Sequence, residues 1–257
     1  MIEAAAEKRN AVHPPFVSMA RWMLLFGLLG AAVGCSTFGP GARETAKKDT
    51  GDPLELKFGV ARMAERYGAL SEARASYLEL LKTDPNYVPA LHRLGVVALK
   101  LEHLDESLDY LHQAADAGTP SSELLGDLGY AQFLKGDLEP ARKTLEKALE
   151  TSPTDKRLMN NLALVVGHQG RIEESLELFR RVGGEAESLS NMGFIMSQSG
   201  RLADAKRYFH RAIELDPTLD AAAKGLLDLH RLENAQGPLH EVIAADDAQL
   251  NVASMRQ

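Results

Sequence analysis

From Leu54 to Asn234 the apolar residues recur three and four apart, in runs of about a dozen broken by short polar turns. That is the period of amphipathic helices, and no stretch alternates as a strand would. The runs themselves repeat. Units begin at Leu54, Val88, Ser122, Lys156 and Ala186, spaced 34, 34, 34 and 30 residues apart. With positions counted from the start of each unit, the eighth is small: Ala61, Gly95, Gly129, Ala163 and Gly193. The twentieth is small as well: Ala73, Ser107, Ala141, Ser175 and Ala205. The twenty-fourth is large: Tyr77, Leu111, Leu145, Phe179 and Phe209. A glycine stands at the fifteenth position in four units (Gly68, Gly136, Gly170 and Gly200), and Pro85, Pro153 and Pro217 close three of them.

Each feature has a physical role in a pair of antiparallel helices. Small residues facing each other let the two helices approach, and the large residue fills the seam. The mid-unit glycine ends the first helix in a left-handed conformation that other residues adopt poorly. The closing proline stops the second helix. Asp137, before Leu138-Glu139-Pro140, reads as an N-cap followed by a first-turn proline. A period sustained over five units resembles the tetratricopeptide repeat family. The resemblance implies an all-α, right-handed α-solenoid of five helix hairpins: 54–87, 88–121, 122–155, 156–185 and 186–219. One hairpin cannot bury its own apolar face, so neighbours and caps must cover it. Residues 220–234 (DAAAKGLLDLHRLEN) read as a capping helix applied through Leu226, Leu229 and Leu232. Residues 235–257 read as a mostly disordered tail, with one short helix near 239–245. The fourth unit is four residues short, and Gly183-Gly184 can supply its tight turn. Either this is a shortened loop or it changes the pitch and divides three repeats from two.

A different pattern precedes the repeats. Trp22 to Gly34 is uncharged and thirteen residues long, short of the roughly 20 apolar residues a spanning helix needs. Arg21 precedes it and small residues close it at Cys35, the only cysteine. This is the order of a secretory signal, 1–34, whose start is expected at Met19 because Glu3, Glu7 and Pro14-Pro15 do not suit a signal. Ala32-Val33-Gly34-Cys35 resembles the lipobox of bacterial lipoproteins, with Ala32 in place of the commoner Leu. The resemblance implies cleavage before Cys35 and acylation of that residue. The alternative is an uncleaved anchor with an incidental cysteine. Ser36, not Asp, follows the cysteine, which in that family implies the outer membrane, facing the periplasm. Residues 35–53 then form a lipidated cysteine and a flexible tether.

Composition excludes several functions. The 257 residues carry 29 basic and 36 acidic side chains, a net charge of −7, which argues against general nucleic-acid binding. Loss of residues 1–34 moves it to −8. One cysteine leaves no disulfide framework and no Cys-based zinc site. No phosphate-binding glycine loop, His-Glu-x-x-His or calcium loop occurs. The eight histidines are scattered, and His112 and His210 share the twenty-fifth position as helix-surface residues. The chain reads as a non-enzyme without cofactor, metal or small-molecule substrate.

What remains is a surface. In the resembled fold the second, fifth, ninth and twelfth positions line the concave side. They hold Phe58 and Arg62; His92, Val96 and Leu99; Tyr130 and Phe133; Asn160 and Leu164; Ser190, Phe194 and Ser197. Four aromatics there, in a chain only 6% aromatic, suit an amphipathic helix or an apolar peptide. Repeats that clamp an acidic C-terminus carry Lys at the fifth position and Asn at the ninth. His92/Val96, Gly126/Tyr130 and Asn160/Leu164 do not fit that clamp. Arg62, Arg66, Arg157 and Arg171 read as a solvated ion-pair surface. A lipoprotein signal joined to these repeats, with the Phe179–Glu187 junction followed by Asn191-Met192-Gly193-Phe194, resembles the TadD-like lipoproteins of tight-adherence pilus secretion. Type IV pilus pilotins are similar in layout. That resemblance implies a scaffold holding a secretin or pilus component. An adaptor for periplasmic hydrolases, or an accessory subunit of an envelope enzyme complex, is the other reading.

Overall fold

A computed structural model describes residues 52–234. The signal, Met19, Cys35, most of the tether and the tail beyond 234 lie outside the described residues. Ten helices alternate with short turns: α1 (Pro53–Arg66), α2 (Leu70–Thr83), α3 (Val88–Lys100), α4 (Leu104–Asp116), α5 (Ser122–Lys135), α6 (Leu138–Thr151), α7 (Lys156–His168), α8 (Ile172–Val182), α9 (Glu185–Gln198) and α10 (Leu202–Leu215). Residues 220–234 are helical too, and no strand occurs among the described residues. The all-α expectation holds, one hairpin to each predicted unit.

Local chemistry sets the helix ends. Asp52, Ser121 and Asp155 cap α1, α5 and α7, each accepting a hydrogen bond from a first-turn backbone N–H. Asp137 occupies the N-cap position of α6, but its side chain makes no capping hydrogen bond. Asp84, Ser152 and Asp216 end α2, α6 and α10 in non-helical backbone, extended at Asp84 and Asp216. Each precedes a proline, whose ring disfavours a helical residue before it.

Inside a hairpin the small–large rule has a measurable basis. A Cβ on Gly193 would stand 2.7 Å from the Phe209 ring, so only glycine admits the ring that fills the seam between α9 and α10. Gly136 ends α5 at φ 91°, in the left-handed region. In the second hairpin that position is held by Glu102, at φ 65°.

The chain divides between Thr119 and Pro120 into two compact units. The first contains α1–α4, with a core of Ala61, Ala73, Tyr77, Leu80, Ala90, Leu94 and Val97. The second contains α5–α10 and the 220–234 helix, and buries Leu145, Leu158, Val165, Phe179, Ile195 and Phe209. The short junction at 183–184 lies inside the second unit. Helix α8 has 11 residues where α6 and α10 have 14. Gly183 and Gly184 are extended, at φ −131° and −89°, so the turn does not draw on a glycine-only conformation. The Glu187 carboxylate accepts from the Gly184 N–H at 3.1 Å, and Arg180 pairs with Glu185 across the turn. The terminal cap is partly as expected. Ala222 and Leu229 are buried, and Gly225 sits against the Phe209 ring, but Leu232 is 45% exposed.

Candidate protein-binding surface

The predicted lining residues fall into two groups. In the first unit Phe58, Arg62, His92, Val96 and Leu99 are all half-buried. Phe58 packs against Tyr77 and Tyr87, with ring centroids 5.7 Å away in both cases, so its body belongs to the hairpin core.

In the second unit α5 packs on α7 and α7 on α9, making one continuous face of first helices. Tyr130, Asn160, Phe194 and Ser197 are half-buried on it. Phe133, Leu164 and Ser190 are buried, at 7%, 6% and 2% exposure. These three support the face from below and offer almost no area to an incoming chain. Phe133 lies 5.2 Å from the His168 ring and 6.3 Å from Tyr130, while Phe194 meets Phe209 edge-on at 4.9 Å. The His168 Nε2 is 3.0 Å from the Gln198 side-chain oxygen, which ties α7 to α9. Burial lowers the His168 pKa against that hydrogen bond, which favours the neutral imidazole. Burial likewise raises the Tyr130 pKa, so its hydroxyl keeps its proton. The face thus offers aromatic surface with neutral hydrogen-bonding groups beside it.

Reading the sequence missed a polar cluster inside the first unit, between α1, α2 and α3. Glu65, on the inner face of α1, has a side chain only 4% exposed. Its carboxylate accepts from the Tyr77 hydroxyl at 3.1 Å, the Arg93 Nε at 3.0 Å and the Lys100 Nζ at 2.7 Å, with the second Arg93 nitrogen also bound. Burial works against the charge, but the hydrogen bonds and charges of Arg93 and Lys100 outweigh it and hold the carboxyl at about 2. Burial and the neighbouring carboxylate push Tyr77 up. The available signal was an acid at the twelfth position, where other units carry Leu99, Phe133, Gly167 and Ser197. His168 was also missed, although it recurs at the position of Lys100. Of the expected ion-pair arginines, Arg157 meets Asp127 at 2.6 Å and Arg171 meets Glu174 at 2.6 Å.

Residues 92–156, 157–182 and 186–219 match family models described as tetratricopeptide repeat. The chain is 27% identical to the TPR repeat-containing protein YpiA of Bacillus subtilis over 128 residues, 50% of this chain and 30% of that one. It is 30% identical to BBSome complex member BBS4 of Bos taurus over 118 residues, covering 46% and 22% of the two chains. It therefore spans under a third of either relative. Among solved structures it resembles YrrB, a TPR protein with an unusual peptide-binding site (TM-score 0.54, 22% identity, 65% of this chain and 89% of that chain). It also resembles pilF of Pseudomonas aeruginosa (TM-score 0.52, 18% identity, 75% and 97%). The described region is built of tetratricopeptide repeats, in an all-α arrangement of the solenoid type.

Proposed function

We propose that this chain is a non-catalytic tetratricopeptide scaffold that holds a protein segment on the α5–α7–α9 face. The observation that carries the reading is that face itself: Tyr130 and Phe194 partly exposed, with Asn160 and His168 between them. Aromatic rings interleaved with neutral hydrogen-bonding groups suit an apolar or amphipathic segment better than an anionic tail. The likeness in fold to YrrB, a TPR protein with a peptide-binding site, supports the same reading.

In this proposal the scaffold is lipid-anchored through Cys35, in the outer membrane facing the periplasm, and its occupant is a secretin or pilus component under assembly. Support for this part comes from the lipobox-like Ala32–Cys35 string and from the resemblance to tight-adherence lipoproteins. A photo-crosslinker at Tyr130 or Phe194 is expected to capture the occupant, and Tyr130→Ala with Phe194→Ala to abolish both capture and secretin multimerisation. Unchanged assembly in the double variant would sink the binding-face reading. Loss of membrane association in Cys35→Ala, with the repeats still folded, tests the anchor separately.

A further inference from the structure

Helix α1 turns a stripe of large apolar side chains outward. Leu56, Val60, Met63 and Tyr67 are 71%, 59%, 55% and 83% exposed. They follow one another at four, three and four residues, so all lie within about 60° on one side of the helix. The opposite side of α1 is the buried one, with Ala61 and Glu65. A Cβ added at Gly59, beside the stripe, would meet nothing within 4 Å. Lys57 and Arg66, both exposed, stand roughly 90° to either side of the stripe's centre. An apolar face of this kind, flanked by cations and ended by a tyrosine, is the composition of a helix lying in a lipid interface. At 14 residues α1 is about 21 Å long, and no helix among the described residues is long and apolar enough to cross a membrane.

We propose that α1 lies flat on the bilayer that anchors the chain, with Leu56, Val60, Met63 and Tyr67 in the acyl boundary and Lys57 and Arg66 at anionic headgroups. The inference rests on the lipid-anchor reading of Cys35. Between Cys35 and Asp52 stand sixteen residues, 36–51, and on the tether reading a coil of that length would have an r.m.s. reach of roughly 20–25 Å, which would start α1 close to the membrane surface. Such a tether holds the stripe at an effective concentration near the millimolar range, where a weak interfacial helix docks. The docked helix in turn fixes which side of the first unit faces the membrane.

The test uses the full chain on vesicles of phosphatidylethanolamine and phosphatidylglycerol. A polarity-sensitive fluorophore is placed at Val60→Cys and, as a control, at the exposed Glu150→Cys, and is quenched by spin-labelled lipid or by aqueous iodide. Docking predicts a blue shift and several-fold stronger lipid-phase quenching at position 60 than at 150. It also predicts loss of that difference in Leu56→Glu with Met63→Glu, positions exposed enough to keep the fold. Equal aqueous quenching at both positions, absence of any vesicle binding, or a blue shift that needs no lipid and grows with protein concentration would each overturn it, the last in favour of a second copy on the stripe. Labelled palmitate on Cys35 in cells reads the anchor independently, so an unacylated chain and an undocked helix give different results.

Discussion

The two units solve the same packing problem with different chemistry. In the first, the twelfth residue of one hairpin, Glu65, reaches the thirteenth of the next, Lys100, thirty-five residues on. In the second, Phe133 reaches His168 across the same interval. The sixth position differs in parallel: Arg93 closes over the carboxylate in the first unit, and Asn161 is buried in the second. One backbone register therefore accepts either a charged cluster or an aromatic stack. What distinguishes them is the response to losing a partner. A stack loses contact area, whereas a cluster leaves a buried charge behind.

The largest expected effect breaks that cluster. Glu65→Ala removes the buried carboxylate that Tyr77, Arg93 and Lys100 all meet, with the Arg93 side chain only 12% exposed, and should cost the first unit about 3–5 kcal/mol. Replacing Glu65 and Arg93 together by Leu should cost clearly less than Glu65→Ala, because no buried charge remains and Lys100 can turn to water. Hydrogen exchange of α1 and α3 amides in the full chain reads both. Equal losses in the two variants would show that packing and not charge holds this seam. In the second unit, Phe133→Ala should cost about 3 kcal/mol through the cavity alone, with exchange rising in α5 and α7 and little dependence on salt.

Acid separates the two units by window. The Glu65 carboxyl is held at about 2 against an ordinary 4.5, so its stabilisation is complete above 4.5 and fades as pH falls toward 2. A shift of that size corresponds to roughly 3 kcal/mol. The His168 pKa is lowered from 6.5, so its unfolded form takes up a proton first and the second unit weakens as pH falls below about 6.5. Exchange followed from pH 7 downward should therefore loosen α7 and α9 before α1 and α3. The reverse order would contradict both assignments.

The hairpins were legible because their determinants are local and repeated. Small residues such as Gly95 and Gly193, and the mid-unit glycines, mark each one independently of what it packs against. The face was legible only as a list of positions. Periodicity places Phe133, Leu164 and Ser190 on the same side of their helices as Tyr130 and Phe194, but depth depends on how close the neighbouring hairpin comes. That distance is set by residues of another hairpin: Leu158 approaches within 2.4 Å of where a Gly126 Cβ would stand. The Glu65 cluster escaped for a related reason. Its partners are 12, 28 and 35 residues away, and each separately looks like a surface charge or a core tyrosine.

A smaller contrast lies at the twentieth position, which is serine once in each unit. The Ser175 hydroxyl donates to the Ala163 carbonyl at 2.7 Å, whereas the buried Ser107 hydroxyl has no partner. Ser175→Ala should cost about 1 kcal/mol, and Ser107→Ala should be neutral or slightly stabilising, as read by urea midpoints.

The smallest effect concerns the turn between the two helices of a hairpin. Gly68, Gly136, Gly170 and Gly200 take positive φ there, and Glu102 does so at 65° with an exposed side chain. The turn's hydrogen bonds are the same in both cases: His103 N–H reaches the Ala98 carbonyl at 2.9 Å, as Asp137 N–H reaches that of Gln132 at 3.0 Å. The backbone demand is thus equal, and only the Cβ differs. Glu102→Gly relieves a left-handed cost of about 1–2 kcal/mol and gives back part of it as unfolded-chain entropy, leaving a net gain of about 1 kcal/mol. Gly136→Ala should lose a similar amount in the second unit. Thermal unfolding of the two variants should therefore move in opposite directions by a few degrees, and a destabilised Glu102→Gly would mean that the glutamate side chain itself holds the turn.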